Sequence, residues 1–253
     1  MDRVKTGVRG LDEMLNGGFL PQTANLFEGA PGTGKSTLGM QFIYNGAAQF
    51  DEPGLILTFE EFPQQYYRDA ESFGWDFHAL ESANKLRIIM TSPQVTRRDL
   101  ETVGGNIETM VREMGARRIL VDSLSHLSRL EKDPVERRSL EFSFMNALKR
   151  EGLTAFLTRE SLAFPSPQFD PEPGVAFLVD AYGLLRYVEI ESEMRRAILI
   201  LKMRGSDHAR DIREFRVTAH GIEVQDKFAG REGLMSGSPR QMADSFIEAF
   251  VKR

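Results

Sequence analysis

A glycine-rich segment at residues 29–36 (GAPGTGKS) has the spacing G-x-x-x-x-G-K-[ST] of a loop that binds phosphate. Its glycines let successive backbone N–H groups turn towards phosphate oxygens, and the helix expected to follow adds positive potential. Lys35 would reach the β- and γ-phosphates, and the Ser36 hydroxyl would bind Mg²⁺. The alternative is a glycine-rich turn without function. We favour ATP and Mg²⁺ as cofactors, with the binding residues Gly32, Thr33, Gly34, Lys35, Ser36 and Thr37.

Carboxylates stand at the ends of two further apolar segments. Residues 118–122 (RILVD) end at Asp122, and residues 55–60 (LILTFE) end at Glu60, with Glu61 next. Beside a phosphate-binding loop, Asp122 would orient Mg²⁺ through water, and a glutamate would polarise the water that attacks the γ-phosphate. Because successive strand side chains point to opposite faces, we expect one glutamate to carry most of this role. The alternative is structural, with these carboxylates stabilising helix N-termini.

Two cations follow another apolar segment, residues 197–204 (AILILKMR). If this segment is a strand, the two-residue spacing puts Lys202 and Arg204 on one face and Met203 on the other. A shared anion would relieve the repulsion between the cations. The γ-phosphate of ATP on a neighbouring subunit is the candidate, with Arg204 as an arginine finger. The alternative is a pair of solvated cations that protect an edge strand from aggregation.

The elements that must position these residues follow an α/β pattern. Short apolar runs alternate with helical patterns, which predicts a doubly wound, mainly parallel sheet. From residue 182 onward, short turns join the strands and predict antiparallel hairpins that extend the sheet. The predicted strands cover residues 24–28, 55–60, 86–90, 118–122, 154–158, 182–190, 195–204, 213–217 and 221–224, and the predicted helices cover residues 36–49, 64–73, 98–114 and 134–150.

Two segments interrupt or end this pattern. Residues 164–174 contain four prolines, which predicts a loop near the active site. Residues 238–241 (SPRQ) resemble a helix start, and an apolar stripe of the same period follows them. We therefore expect an ATPase domain at residues 1–235 and a helical tail at residues 236–253. The tail either packs on its own domain, which is the simpler interpretation, or binds a partner.

The composition narrows the class of protein. The 253 residues include no cysteine, which excludes disulfides, cysteine-ligated metals and thiol nucleophiles. No apolar run approaches the roughly 18 residues of a membrane span, and no secretory signal is visible, so we expect a cytoplasmic protein without membrane contact. The net charge of −5 disfavours nucleic acid as a partner without excluding it.

Several further segments give the sequence a resemblance to the KaiC-like family of RecA-type ATPases. They are TGVRGLD at 6–12, GG at 17–18, TFEE at 58–61, FGWD at 73–76, KMRGS at 202–206, DIREF at 211–215 and SGSP at 236–239. The resemblance covers nearly the whole chain. It implies a RecA-like P-loop fold, ATP held between subunits of a ring, most simply a hexamer, and catalytic roles for Glu60 and Glu61. It also implies that Lys202 and Arg204 reach the neighbouring nucleotide, with Ser206 and His208 nearby.

The expected function is thus a KaiC-like ATP hydrolase that switches its conformation or its binding of regulatory protein partners. The sequence departs from the family's clock ATPase in two respects. It holds one such domain where the clock ATPase has two in tandem. The positions of the paired phosphorylation sites, just before Asp180, are Ala176 and Phe177, which cannot accept phosphate.

Two other functions compete with this one. The first is a RecA/Rad-type ATPase of DNA recombination or repair, but the 164–174 loop holds Asp170 and Glu172 and no basic residue, which would repel DNA. The basic residues of segment 129–138 alternate with acidic ones, as on a solvated helix face. The second is a serine/threonine autokinase, which would have to use another acceptor, such as Ser161 or Ser166.

Overall fold

The computed structural model describes residues 2–102, 104–161, 175–228, 231–232, 234 and 240–241. Its strands are β1 (Ala24–Gly29), β2 (Gly54–Thr58), β3 (Leu86–Met90), β4 (Arg118–Asp122), β5 (Thr154–Glu160), β6 (Ala181–Ile190), β7 (Glu193–Met203), β8 (Arg213–Thr218), β9 (Gly221–Lys227), β10 (Arg231–Glu232) and β11 (Arg240–Gln241). Its α-helices are α1 (Leu11–Met14), α2 (Lys35–Gln49), α3 (Pro63–Ser72), α4 (Phe77–Ser82), α5 (Pro93–Glu101), α6 (Asn106–Met114), α7 (Leu124–Ser128) and α8 (Pro134–Arg150), and Val175–Phe177 form a 3₁₀ turn.

One nine-stranded sheet organises the fold, in the order β3-β2-β4-β5-β1-β6-β7-β8-β9. The six strands from β3 to β6 in that order run parallel, and β6 to β9 form antiparallel hairpins. The predicted fold class is therefore confirmed. Because β1, β2, β4 and β5 are parallel, their carboxyl ends meet at one edge of the sheet. That edge carries the phosphate-binding loop and the predicted carboxylates.

Apolar side chains cover both faces of the sheet. On one face, the ring of Phe27 stacks on that of Phe156 with 4.6 Å between the ring centroids, Phe19 contacts Phe27 edge-on, and Phe42 contacts Phe156. On the other face, helices α6, α7 and α8 cover the sheet. All of β1 is buried, so the loop that follows it starts from a fixed position. No helix within the described part of the chain combines the length and apolar character that crossing a membrane requires.

The predicted helix at residues 98–114 is wrong as a single helix. The structure has two helices, α5 and α6, with Gly104 between them at a φ of 75°. The carboxylate of Asp99 accepts hydrogen bonds from the N–H groups of Asn106 and Ile107, at 2.7 and 2.8 Å. These bonds satisfy the first N–H groups of α6 and stabilise the break.

The predicted strand at residues 55–60 is two residues too long. Strand β2 ends at Thr58, whose hydroxyl oxygen accepts hydrogen bonds from the N–H groups of Glu60 and Glu61, at 3.4 and 3.2 Å. Both glutamates therefore lie in a turn before α3. The argument that strand alternation separates them onto opposite faces does not apply.

The C-terminal tail is described at two residues. Arg240–Gln241 form the strand β11, which pairs with β10, so a helix does not start at Pro239 as predicted. The rest of the predicted tail helix lies outside the described residues, as does the proline-rich segment 164–174. The division at residue 235 stays a prediction.

Candidate active site

The phosphate-binding loop joins β1 to α2, as its sequence predicts. Gly32 and Gly34 have φ angles of 76° and 102°, a region that residues with a side chain rarely adopt, and Gly34 directly precedes α2. A hydrogen bond of 2.6 Å from the Tyr187 hydroxyl to the carbonyl oxygen of Gly32 holds the loop against β6. The loop thus has the backbone that its glycines allow and a fixed support beneath it.

Lys35 is buried at the start of α2, and its Nζ donates a hydrogen bond of 3.0 Å to the carbonyl oxygen of Ala30. Burial lowers the pKa of Lys35, and the nearby carboxylates, Asp122 first, oppose that shift. An anion at this position would also favour the charged ammonium group. Thr33 is fully buried, and both its N–H and its hydroxyl donate to the carbonyl oxygen of Ala30. Ser36 and Thr37 are half-buried in the first turn of α2.

Asp122 ends β4, and two side chains fix its carboxylate. The Thr158 hydroxyl donates to Oδ1 at 2.5 Å, and the Tyr66 hydroxyl donates to Oδ2 at 2.9 Å. Burial and the charge of Asp122 raise the pKa of Tyr66, so its hydroxyl remains a donor. Sequence reasoning missed both donors. Thr158 lies in β5, the strand beside β4, and was the last residue of the predicted strand, so its position was recognisable from the sequence. Tyr66 lies within α3, and no sequence pattern marked it.

The two glutamates occupy different surroundings in the turn after β2. Oε2 of Glu60 lies 3.0 Å from Nε2 of His126, a residue of α7 that sequence reasoning also missed. The pKa of Glu61 is raised, first by burial and then by the charges of Asp122, Asp69 and Glu60. The negative charge of Asp122 therefore acts on Glu61, while Glu60 has a side-chain hydrogen-bond partner in His126.

Glu160 is a further acidic residue of the site that the sequence analysis did not identify. Strand β5 was predicted to end at residue 158 but continues to Glu160. The N–H of Glu160 donates to the Ser125 hydroxyl oxygen at 3.0 Å, and its carboxylate lies 3.1 Å from the guanidinium group of Arg129. A carboxylate one strand away from Asp122 thus faces the same edge, with its charge partly balanced by Arg129.

Lys35, Ser36, Asp122 and the three glutamates line one pocket of about 190 Å³ at the carboxyl ends of the parallel strands. Its walls are Pro31, Gly32, Lys35, Ser36, Thr58, Glu60, Glu61, Tyr66, Asp122, Ser123 and Glu160. A larger cavity, of about 600 Å³, lies between α5, α6, α7 and α8, but its walls include Leu127, Leu140 and Phe144 and it has no phosphate-binding loop. The smaller pocket is the candidate active site because the residues predicted to bind phosphate, to bind Mg²⁺ and to activate water line it.

The pocket fits a divalent ion that is bound together with phosphate. Among the described residues, no group of three or more His, Asp or Glu side chains could hold a metal by itself. Ser36 and Asp122 supply a hydroxyl and a carboxylate oxygen in one pocket. Mg²⁺ typically takes one or two protein oxygens and completes its shell with phosphate and water. The residues present match that requirement.

Lys202 and Arg204 lie at the opposite end of the sheet from the pocket, where the parallel strands begin. Met203 pairs with Ala181 at the start of β6, and Ala181 pairs with Asn25 near the start of β1. The length of β1, at about 3.3 Å per residue, puts them on the order of 15 Å from the phosphate-binding loop of the same chain. They cannot reach the pocket of their own subunit.

Backbone carbonyls bind both cations in the single subunit. Nζ of Lys202 donates to the carbonyl oxygens of Ala176 and Val179, at 2.7 and 2.8 Å. The Arg204 guanidinium group donates to the carbonyl oxygen of Phe177. Partial burial and the neighbouring Arg204 lower the pKa of Lys202. The repulsion between the cations is thus eased without a shared anion, although the carbonyls carry no full charge.

The last two predicted binding residues lie beyond β7. The Ser206 hydroxyl accepts a hydrogen bond of 2.6 Å from Arg3 and donates to the carbonyl oxygen of Asp207 at 2.8 Å. His208 is half-buried, and its Nδ1 is enclosed without a hydrogen-bond partner. Both residues belong to the Lys202 edge and lie away from the pocket.

Comparison with known proteins identifies the family. The family model described as the KaiC ATPase matches residues 4–228. The chain belongs to the KaiC family. The circadian clock oscillator proteins KaiC of a Nostoc strain and of Thermosynechococcus vestitus are each 37% identical to it over 241 residues, or 95% of this chain. The match covers 46% of each relative, so this chain spans about half the length of these KaiC proteins.

A solved structure supports the same assignment. The crystal structure of a KaiC-like protein from the hyperthermophilic archaeon Pyrococcus horikoshii aligns with a TM-score of 0.78 and 31% identity. The alignment covers 89% of this chain and 99% of the archaeal chain. The resemblance inferred from the sequence is therefore confirmed, and membership of the KaiC family implies a nucleotide-binding ATPase domain.

Proposed function

We propose that the protein binds ATP with Mg²⁺ in the pocket after β1 and hydrolyses it to ADP and phosphate. The observation that carries this proposal is the convergence of Lys35, Ser36 and acidic residues from three neighbouring strand ends in one pocket. Membership of the KaiC family supports it. The three acidic strand ends belong to β2, β4 and β5, next to the loop of β1.

Each residue in the pocket has a role that its surroundings support. Lys35 would exchange the carbonyl of Ala30 for phosphate oxygens, which restore the preference for its charged form. Mg²⁺, held by Ser36 and oriented by Asp122, would neutralise charge on the β- and γ-phosphates. Thr158 and Tyr66 hold Asp122 in place before the nucleotide arrives. A carboxylate of the Glu60–Glu61 pair would accept the proton of the attacking water.

Lys35→Ala tests this proposal. Loss of a charge-assisted contact worth about 1.5–3 kcal/mol corresponds to an affinity for ATP that is about 10 to 150 times lower. Isothermal titration calorimetry would measure the affinity, and phosphate release would measure hydrolysis. Lys132→Ala, which removes an exposed lysine that does not line the pocket, is the matched control and should leave both unchanged. Normal affinity and hydrolysis in Lys35→Ala would refute the proposed site.

We also propose that the site is completed by a neighbouring subunit in a ring, most simply a hexamer. The position of Lys202 and Arg204 supports this, since they lie at the edge opposite to their own phosphate-binding loop. A head-to-tail ring would bring that edge of one subunit to the pocket of the next, with Ser206 and His208 nearby. The solution mass, measured with and without ATP and Mg²⁺, tests assembly. A monomer under both conditions would contradict the ring.

The biological role that fits these features is regulatory. We propose a cytoplasmic ATPase whose hydrolysis switches its conformation or its binding of other proteins. The basic segment 129–138 offers little to DNA, because Arg129 pairs with Glu160 and the acidic residues Glu131, Asp133 and Glu136 stand among the other basic residues. Ser161, a possible acceptor for an autokinase, is buried. Ser166 lies outside the described residues.

A further inference from the structure

A histidine from α7 contacts one of the two candidate glutamates. Nε2 of His126 and Oε2 of Glu60 are 3.0 Å apart, and the histidine side chain is 19% exposed while that of Glu60 is 67% exposed. The ring of His126 also lies 6.4 Å from the ring of Phe59, the residue before Glu60. An enclosed side chain on a helix therefore holds an exposed side chain on a turn.

Helix α7 is held in place by core packing and by contacts with the end of β5, so the position of His126 is fixed. Leu124 and Leu127 are fully buried in the core below the helix. The hydroxyl oxygen of Ser125, which is also buried, accepts the hydrogen bond from the N–H of Glu160, and Arg129 just beyond the helix pairs with the Glu160 carboxylate. The helix is thus fixed to the end of β5, and His126 extends that connection to the turn after β2.

Glu61 lacks a comparable restraint. Among the described residues, no side chain donates a hydrogen bond to its carboxylate. The negative charges of Asp122, Asp69 and Glu60 act on it, and the positive charge of Arg68 opposes them more weakly. A general base works efficiently only when it is held in reach of the proton that it accepts. Of the two glutamates, Glu60 has the neighbour that can hold it.

We infer that His126 is a positioning residue that orients the Glu60 carboxylate for proton abstraction from the attacking water. This inference rests on the proposed ATP hydrolysis. In that step a water O–H bond breaks and its proton goes to Glu60, while the water oxygen bonds to the γ-phosphorus. The bond from that phosphorus to the β,γ-bridging oxygen breaks, and ADP leaves with the electron pair. His126 touches no reacting atom and acts through Glu60.

A double-mutant cycle separates positioning from a general structural role. General-base catalysis contributes about 10²–10⁴-fold, so loss of orientation alone in His126→Ala should lower kcat about tenfold, with KM for ATP within about twofold. His126→Gln keeps a donor and should recover most of the rate. In a Glu60→Gln background, His126→Ala should have no further effect. His220→Ala, at the exposed turn between β8 and β9, is the control.

The contact itself can be tested without nucleotide. Imidazole ¹⁵N spectra of the nucleotide-free protein should show the His126 signals shifting in Glu60→Gln and staying in place in Glu61→Gln. Unchanged His126 signals in Glu60→Gln, or equal losses from His126→Ala with and without Glu60, would overturn the inference. An inactive parent protein would instead refute the proposed hydrolysis, so the two failures are distinguishable.

Discussion

The hydroxyl group of Tyr66 makes a buried hydrogen bond whose removal has a predictable cost. Tyr66 is 1% exposed, and its hydroxyl donates to Asp122 at 2.9 Å. Because burial and Asp122 raise its pKa, the hydroxyl remains protonated and donates throughout the physiological pH range. Tyr66→Phe removes one oxygen atom and keeps the packing of the ring, so no large cavity contributes to the change.

The magnitude follows from the surroundings of Asp122. A hydrogen bond to a charged group contributes about 1.5–3 kcal/mol to the free energy of unfolding. Thr158 still donates to the other carboxylate oxygen, and the pocket admits water to replace the lost donor. We therefore expect a loss of about 1.5 kcal/mol, the lower end of that range. For a chain of this size, that corresponds to a Tm lower by about 3–6 °C.

Urea unfolding of the nucleotide-free protein provides the measurement, with the fluorescence of Trp75, the single and buried tryptophan, as the signal. The neighbouring Tyr67 offers a matched control, since its hydroxyl donates to the Glu81 carboxylate at the exposed surface. Tyr67→Phe should change the free energy of unfolding by less than about 0.5 kcal/mol, as exposed polar contacts usually do. Equal losses in the two variants would refute the argument that burial decides the cost.

Three further predictions concern the proposed chemistry and assembly. Glu60→Gln combined with Glu61→Gln should leave ATP bound but hydrolysed at least about 100 times more slowly, because the amides cannot accept the proton; a parental rate of phosphate release would make both carboxylates structural. Lys35→Ala subunits mixed with Arg204→Ala subunits should recover hydrolysis, since each supplies what the other lacks at a shared interface, and no recovery at any ratio would contradict completion in trans. Incubation with ATP should leave residues 176–180 without phosphate in mass spectra, while stable phosphate on Ser161 or Ser166 would favour the autokinase.

The sequence predicted the parts of the fold that depend on local patterns. Buried parallel strands are continuous apolar runs, so β1, β3 and β4 were located to within a residue. The glycine spacing located the phosphate-binding loop, because the backbone of this loop adopts positive φ angles that glycine accommodates most easily. The helix break at Gly104 was missed because the interaction that stabilises it comes from Asp99, a residue that reads equally well as a helix surface position.

The supporting residues of the site depend on tertiary structure, and the sequence did not reveal them. Tyr66, His126 and Glu160 come from α3, α7 and the last residue of β5. They converge only because parallel strand ends meet at one edge and because α7 turns back over it. No spacing in the chain links them to the residues that they contact. The two glutamates were identified as a pair, but only the folded turn gives them different neighbours.

Strand β1 has the phosphate-binding loop at one end and the anchoring contacts of residues 176–180 at the other. At its start, the N–H of Ala24 donates to Asp180 at 2.8 Å, and the carbonyl oxygen of Ala24 accepts from the N–H of Asp180. Lys202 is bonded to the same short segment through the carbonyl oxygens of Ala176 and Val179. In the proposed ring, a Lys202 that moves to a neighbour's phosphate must leave these carbonyls, so the segment that anchors β1 loses a partner. Each β1 would then connect two nucleotide sites, with the subunit's own ATP at its carboxyl end and the neighbour's ATP near its start. ATP hydrolysis at one interface would therefore change the contacts that support the phosphate-binding loop at the next interface.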